Sequence, residues 1–252
     1  MSIQKKVIAI DVGNSNTTFA VVNLTDNTIA YKKKIVTTSV IEFANEFYKY
    51  IKNDISDLSS INISSVITGM ESEIFNSLEK LNILPLKTLL KNDSLPITLE
   101  YENSEKLGTD RVANALFVNH YFKNESSIII DVGTAVTVDF QTDENSFLGG
   151  YIFPGIALQL NTLSKNTEKL PLVEINRESF TNAIPKNTEQ AILNGVALSV
   201  AGGVNLAVTQ IKNNNSVKNI FTTGGGWGDI EPYINFNFQY IKDLTILGIA
   251  SL

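Results

Sequence analysis

The sequence predicts an α/β protein of two similar domains, and three observations carry that prediction. The stretch "IAIDVGNSNTTFAVV" (8–22) places a carboxylate, Asp11, and a glycine between two apolar runs. Nearly the same design returns at "IIIDVGTAVTVDF" (128–140), with Asp131 standing 120 residues after Asp11. Around both copies, apolar runs of strand length are followed by helical patterns, the order of α/β rather than all-β domains. Asp and Asn are poor strand residues and costly to bury unpaired, so their repeated placement between strands asks for a cause beyond folding. No low-complexity tract separates the copies, and the echo itself marks two domains, 1–118 and 119–252.

Taken in order, "KKVIAID" and "TFAVVNL" read as adjacent strands, and "NTIAYKKKIVTT" as a third. "VIEFANEFYKYIKND" carries apolar residues at Ile41, Phe43, Phe47, Tyr48 and Ile51, which suits an amphipathic helix. "INISSVITGM" is a further β run, "ESEIFNSLEKLN" (71–82) a helix, and 85–105 irregular around Pro85 and Pro96. "GTDRVANALFVNHYF" is a mostly apolar, buried helix, with His120 an ordinary helix residue. The pattern then restarts. "SSIIIDVG" and "AVTVDFQT" are strands, "SFLGGYIFPG" a glycine-punctuated strand and turn, and 161–187 a mixed segment with room for a short helix. "TEQAILNGVALSVAGGVNLAVTQIK" is a long helix rich in Ala and Gly. Its small residues Gly195, Ala197, Ala201, Gly202 and Gly203 serve close helix approach, either in a dimer or inside one chain. "VKNIFTTGGGWGD" is a strand ending in a glycine loop, and "DLTILGIASL" closes the chain as a helix or a strand.

Composition narrows the chemistry. Of 252 residues, 43% are hydrophobic and 18% charged, enough apolar material for a sizeable core. Acidic residues outnumber basic ones 26 to 20, a net charge of -6 that gives no general pull toward nucleic acid or an anionic membrane. With no cysteine, disulfides, thiolate metal sites and cysteine nucleophiles are excluded, and the single His120 excludes any site needing two histidines. No run approaches the roughly 20 apolar residues of a membrane span. The N-terminus "MSIQKKVIAID" lacks a signal peptide's apolar stretch. The expectation is a cytoplasmic protein with no membrane and no nucleic-acid partner.

The two aspartate loops suggest phosphate handling. Glycine lets the backbone approach a ligand, and N–H groups around such a turn form an anion-binding concavity. In the first loop Asp11, Val12, Gly13, Asn14, Ser15, Asn16, Thr17 and Thr18 supply the carboxylate, the turn and extra donors; Thr134 and Thr137 repeat the offer after Asp131. Carboxylates repel phosphate unless a cation intervenes, so Asp11 and Asp131 are metal-side groups and the loops phosphate-side groups. The expectation is that two facing loops clamp one nucleotide with its cation. A third loop, "TTGGG" (222–226), either lies against a base or ribose or is a tight strand-to-helix turn. At "GTDRVANAL", Asp110 and Arg111 start a helix, where the dipole and free N–H groups stabilise an acid. Two readings stand: an N-cap followed by a solvated arginine, or a carboxylate that takes a proton from a substrate hydroxyl late in a loose phosphoryl transfer. Trp227 is given no role.

Together these segments resemble the type III pantothenate kinases of the acetate and sugar kinase/Hsp70/actin superfamily. The motifs are "DVGN" (11–14), "GTDRVAN" (108–114), "DVGTAVTVD" (131–139), "GGYIFPG" (149–155) and "KLPLVE" (169–174), and the likeness covers essentially the whole chain. It implies two ribonuclease-H-like (actin-like ATPase) domains with mixed sheets flanked by helices, a homodimer, and transfer of phosphate from ATP to pantothenate at the start of coenzyme A synthesis. It implies that residues 11–18 form the first phosphate loop and that Thr134 contacts ATP. Asp110 matches the catalytic base, Gly108, Thr109, Asp110 and Arg111 the pantothenate-binding segment, and Tyr101 an upstream substrate tyrosine. Asp131 matches the site of a monovalent cation, potassium or ammonium; Mg2+ accompanies ATP. Thr188 resembles a threonine that reaches pantothenate across the dimer interface. This chain departs from the pattern at Ser15, where Thr is usual, at Ser104, where Pro is usual, and after Ser64-Ser65, where a valine-proline pair is missing. The other readings are a superfamily kinase for a different hydroxylated small molecule and a nucleotide-binding regulator without catalysis.

Overall fold

The computed structural model describes residues 5–51, 58–79, 86–88, 95–181 and 183–252. The ends of the helices expected over 40–54 and 71–82 (52–54 and 80–82) and Pro85 lie outside the described residues, as do the side chains of Tyr48 and Ile51. The chain groups into two units: Met1–Asn124 with Asn145–Phe147 and Asp243–Leu252, and Glu125–Glu144 with Leu148–Lys242. This differs from a division at 118/119. The C-terminal residues return to the first unit because the helix Leu244–Ala250 packs on the helix Thr109–Tyr121 and on the first strand.

The first unit is built on a five-stranded sheet of β1 (Lys6–Val12), β2 (Asn16–Asn23), β3 (Thr28–Val36), β4 (Leu58–Ser65) and β5 (Leu86–Thr88), in the order β3-β2-β1-β4-β5. β1, β2 and β3 are antiparallel neighbours, whereas β4 is parallel to β1 and β5 to β4. A mixed sheet of this kind needs a helical crossover before β4, and α1 (Val40–Ile51) supplies it. Ile8, Ile10, Val12, Phe19, Val21, Ile61 and Ile63 form one face of the core with Val40, Ala44 and Phe47 of α1 and with Ile74 and Leu78 of α2 (Met70–Leu78). Phe19 meets Phe43 and Phe47 with ring centroids 5.0 and 5.1 Å apart. Burying each such side chain contributes about 1.5–3 kcal/mol. Asn62, buried in β4, donates through Nδ2 to the carbonyl of Ile249 at 2.9 Å and so ties the C-terminal helix to the sheet. The irregular region holds β6 (Thr98–Leu99), which pairs in parallel with Ser146 and Phe147. α3 (Thr109–Tyr121) is buried along most of its length, as its apolar sequence predicts.

The second unit repeats the plan. β7 (Ser127–Val132) is antiparallel to β8 (Ala135–Gln141) and parallel to β10 (Asn219–Thr223). β9 (Ser146–Pro154) and β11 (Gln239–Tyr240) complete the order β11-β10-β7-β8-β9. Ile128, Ile130, Val132, Val136 and Val138 pack against α5 (Thr188–Asn214) and against Ile156 and Leu160 of α4 (Ile156–Lys165). The mixed segment 161–187 thus begins as the end of α4 and, among its described residues, otherwise holds one short 3-10 turn, Arg177–Ser179. The final helix, Leu244–Ala250, is α7, and α6 (Trp227–Ile230) follows the glycine loop.

One sequence expectation is corrected here. α5 is 27 residues long and apolar enough to cross a membrane by length and composition. More than half of its most apolar window is buried inside the protein, where Ile192, Val196, Val200, Val204 and Val208 line the core. A core helix made of Val, Ala and Gly passes the same test as a span. Its small residues divide by face: Ala197 and Ala201 are buried in the unit, a Cβ at Gly203 would touch the Phe153 ring at 3.3 Å, and Gly195 and Gly202 face open space.

Candidate active site

The first aspartate loop sits at the carboxyl end of β1, the central strand of its sheet. Asp11 is paired in register with Thr18 on one side and with Ser64 on the other. Residues opposite one another on adjacent strands share a face, so a half-buried carboxylate is flanked by two hydroxyl side chains. Ser64 is fully buried and its Oγ has no hydrogen-bond partner. The turn is closed by Gly13 N–H donating to Asn16 O at 3.0 Å and is fastened from outside by Thr37. Thr37 donates through Oγ1 to Gly13 O at 2.7 Å, lies 3.1 Å from Thr17 Oγ1, and donates its N–H to Ser15 O at 3.1 Å. This fixes the roles within 11–18. Asn14, Ser15 and Asn16 are exposed, whereas the Thr17 hydroxyl turns inward to Thr37 and the Val12 side chain is buried.

The second loop has the same construction. Asp131 is in register with Thr137 on the antiparallel side and Thr223 on the parallel side. Thr137 is 7% exposed and its Oγ1 has no partner. Gly133 N–H closes the turn on Ala135 O at 3.0 Å; Thr134 is exposed, and its carbonyl accepts from Gly155 N–H at 2.9 Å. The "TTGGG" loop folds onto the same strand end. Gly226 N–H donates to Val132 O at 2.9 Å, and Gly224 adopts φ +94, a conformation that favours glycine. A Cβ at Gly224 would lie 2.5 Å from Asp131 Oδ1 and would run into the Val132 carbonyl. The loop then enters α6 directly, so the strand-to-helix turn is what forms. Trp227 opens that helix, buried, with its ring 4.7 Å from Phe238. The carboxyl ends of neighbouring strands are where α/β sheets place ligands.

The third group lies at the start of α3. Gly108, not Asp110, is the N-cap residue, with φ -58 and ψ 130 and no side-chain cap. Asp110 stands in the first turn, half-buried, and its Oδ1 accepts from Arg111 N–H at 2.8 Å. The N-cap reading therefore fails, and so does the solvated arginine. Arg111 is 3% exposed, and its guanidinium carbon lies 5.5 Å from the ring centroids of both Tyr101 and Phe147. Thr109 is 2% exposed with an unpartnered Oγ1. Gly108 permits the whole arrangement, since a Cβ there would stand 2.6 Å from Asp110 Oδ1. Tyr101 is 37% exposed, beside Arg111.

Thr188 lies elsewhere in the second unit, exposed at the first position of α5, where Asn187 caps the helix by accepting Gln190 N–H at 2.9 Å. Among the described residues no group of three or more His, Cys, Asp or Glu side chains could hold a metal. A cation at Asp131 would instead use one carboxylate and neutral oxygens, and the orphaned Thr137 hydroxyl on one side of Asp131, with Thr223 on the other, fits that hard, weakly charged donor set. Sequence reading missed Ser64, Thr223, Thr37 and Phe147. Ser64 and Thr223 are each a hydroxyl at the end of a strand that parallels an aspartate strand, and that pairing is not readable from the sequence.

A sheet with a carboxylate-and-glycine turn at the carboxyl end of its central strand, built twice in one chain, defines the actin-like ATPase fold of the sugar kinases. Solved structures with this fold cover nearly all of the chain. A Campylobacter jejuni protein assigned to the Baf family of transcriptional activators matches with TM-score 0.61 at 22% identity, covering 97% of this chain and 94% of its own. Component A of the Acidaminococcus fermentans (R)-2-hydroxyglutaryl-CoA dehydratase matches with TM-score 0.58 at 15% identity, covering 98% and 96%. The family is more specific: residues 7–210 match the type III pantothenate kinase model, and the chain belongs to that family. The type III pantothenate kinase of Sulfurihydrogenibium sp. is 34% identical over 98% of both chains, and that of Thermosipho melanesiensis is 34% identical over 96% of both.

Proposed function

We propose that this chain transfers the γ-phosphoryl group of ATP to the 4′-hydroxyl of pantothenate, giving ADP and 4′-phosphopantothenate, the first step toward coenzyme A. The observation that carries the reading is the start of α3. There, Asp110 Oδ1 is held by the Arg111 N–H, and the role of proton acceptor falls to Oδ2. The pantothenate hydroxyl oxygen attacks the γ-phosphorus as the bond to the β-phosphate oxygen breaks, and the hydroxyl proton passes to Asp110. A phosphoryl transfer of this loose kind is accelerated mainly by positioning and by charge compensation.

ATP is the ligand assigned to both aspartate loops. Backbone N–H groups around Gly13 and Thr134, with the Asn14, Ser15, Asn16 and Thr18 side chains, offer donors to phosphate oxygens. Mg2+ would arrive with the nucleotide, near Asp11 with its flanking Ser64 and Thr18. Asp131, Thr137 and Thr223 would hold a potassium or ammonium ion, which supplies positive charge beside the phosphates. Gly108, Thr109, Arg111 and Tyr101 bind pantothenate, with the permanently charged Arg111 suited to its carboxylate. The exposed stripe of α5, formed by Gly195, Leu198, Gly202 and Leu206, supports a homodimer; Leu198 and Leu206 are 53% and 61% exposed. Thr188 at the head of that helix would then serve the neighbouring subunit's substrate. The reaction belongs in the cytoplasm, where ATP is supplied.

The test is ADP release by the purified protein with ATP, Mg2+ and potassium, comparing pantothenate with a panel of sugars. Release with pantothenate alone is expected. Release with a sugar instead would assign a different acceptor, and nucleotide binding without turnover would favour a regulator.

A further inference from the structure

We infer that Phe147 is a positioning residue for pantothenate, acting through Arg111: it closes one side of an aromatic clamp whose other side is Tyr101. The inference rests on the pantothenate kinase reading above and adds to it a residue that none of the motifs contains. Arg111 occupies the first turn of α3, where the helix presents its positive pole. A cation is poorly placed there, and Arg111 is also nearly removed from water, at 3% exposed. Its contacts hold it in that position, and two of them are aromatic.

Two rings contribute. The guanidinium carbon lies 5.5 Å from the centroid of Tyr101 and 5.5 Å from that of Phe147, inside the range in which the negative face of a ring attracts a cation. The rings themselves are 6.5 Å apart at a 47° tilt, so with both centroids 5.5 Å from its central carbon the guanidinium is seated over the mouth of the wedge they form. The wedge is rigid on one side and open on the other. Phe147 is 0% exposed and is anchored through its backbone, where its carbonyl accepts Glu100 N–H at 3.0 Å and it pairs with Leu99. Tyr101, the next residue along from that pairing, is 37% exposed. Both rings lie within cation–π range of the guanidinium, and an attraction to a ring face does not use up the five N–H donors that lie in the guanidinium's own plane, so the ring contacts do not compete with a carboxylate met at its edge. Desolvation strengthens both interactions. The clamp thus sets the plane in which Arg111 meets an anionic substrate, one residue along the helix from the Asp110 base.

The experiment is steady-state kinetics on the full-length enzyme with Phe147→Leu, which keeps an apolar side chain and removes the ring face, and with Phe147→Tyr, which keeps the face. Each is also made in an Arg111→Lys background, which has no plane to orient. Phe147→Leu should raise KM for pantothenate roughly 5- to 30-fold, the range of a partly to fully desolvated cation–π contact. KM for ATP and kcat should stay within about 2-fold, and Phe147→Tyr should stay close to wild type. In the Arg111→Lys background, Phe147→Leu should add less than about 2-fold. An unchanged pantothenate KM, an equal rise in the ATP KM, or an undiminished effect in the Lys background would overturn the clamp. If Phe147→Leu fails to fold, Phe147→Met, which fills the buried space with a flexible apolar chain and has no ring face, replaces it with the same Arg111→Lys comparison and the same deciding outcomes. A wild-type enzyme that releases no ADP with pantothenate would overturn the underlying reading; a wild type that does so while the variants behave alike overturns the clamp alone.

Discussion

Adding a single methyl group at Gly108 should separate stability from catalysis. The backbone there has φ -58 and ψ 130, which alanine adopts freely. Replacing glycine at such a position removes conformational freedom from the unfolded chain and stabilises by about 0.4–1 kcal/mol. The new Cβ would stand 2.6 Å from Asp110 Oδ1, about 0.8 Å short of the 3.4 Å at which ordinary contact begins; its next neighbours, Asp110 Cγ and Arg111 Cδ, lie at 3.7 and 3.9 Å. The only atom that must move is Asp110 Oδ1, and the Arg111 N–H it leaves still donates to Gly108 O at 3.1 Å, so little of the gain in stability is lost. The same movement turns the carboxylate that carries the proposed acceptor, Oδ2, and a misplacement approaching an ångström costs roughly 10²-fold in rate. Gly108→Ala should therefore melt at or slightly above the wild-type temperature while its kcat for pantothenate falls about 100-fold. Thermal melts by circular dichroism and an ADP-release assay on the same preparation measure both quantities. A variant of undiminished kcat would refute the proposed dependence of the chemistry on the Asp110 carboxylate position. One that loses stability in step with activity would refute the steric argument.

Other consequences are equally open to measurement. Asp110→Asn should leave the melting temperature near wild type and lower kcat by at least about 100-fold, the usual contribution of a positioned base; near-normal turnover would remove Asp110 from that role. Exchanging potassium for sodium at constant ionic strength should depress activity if Asp131, Thr137 and Thr223 hold a monovalent ion, and indifference to the exchange would defeat that assignment. Gly224→Ala should destabilise by at least about 2 kcal/mol, because alanine at φ +94 is strained and its Cβ meets the Val132 backbone carbonyl. Chemical denaturation reads that loss, and a wild-type midpoint would mean that the loop relaxes without cost.

What the sequence disclosed was the local chemistry, and what it hid was pairing. The two Asp-Val-Gly turns were legible because a carboxylate after an apolar run breaks the strand pattern in place. The hydroxyls of Ser64 and Thr223 beside those aspartates were not, because they belong to strands that return through a helix before pairing. Arg111 next to a helix start reads as solvated until Tyr101 and Phe147, one before it and one well after, close around it. Asp110 looks like a cap because acids favour helix starts, yet the extended residue that precedes the helical turn is Gly108. α7 joins the first unit through Asn62, a buried polar residue in β4 whose partner is a backbone carbonyl near the chain's end. α5 conceals its nature in a different way, since Val, Ala and Gly suit both a tightly packed core and a bilayer, and only its contacts with β7 and β8 decide.

The account stands most directly on the identity of the phosphorylated product. Purified protein given ATP, Mg2+, potassium and pantothenate should form a species one phosphoryl group heavier than pantothenate by mass spectrometry, with phosphorus NMR placing the new ester on the 4′-oxygen. Asp110→Asn, folded and still binding ATP, should form little of it. Pantothenate recovered unmodified while ATP remains intact, under conditions where the protein is folded and nucleotide-bound, would contradict the account.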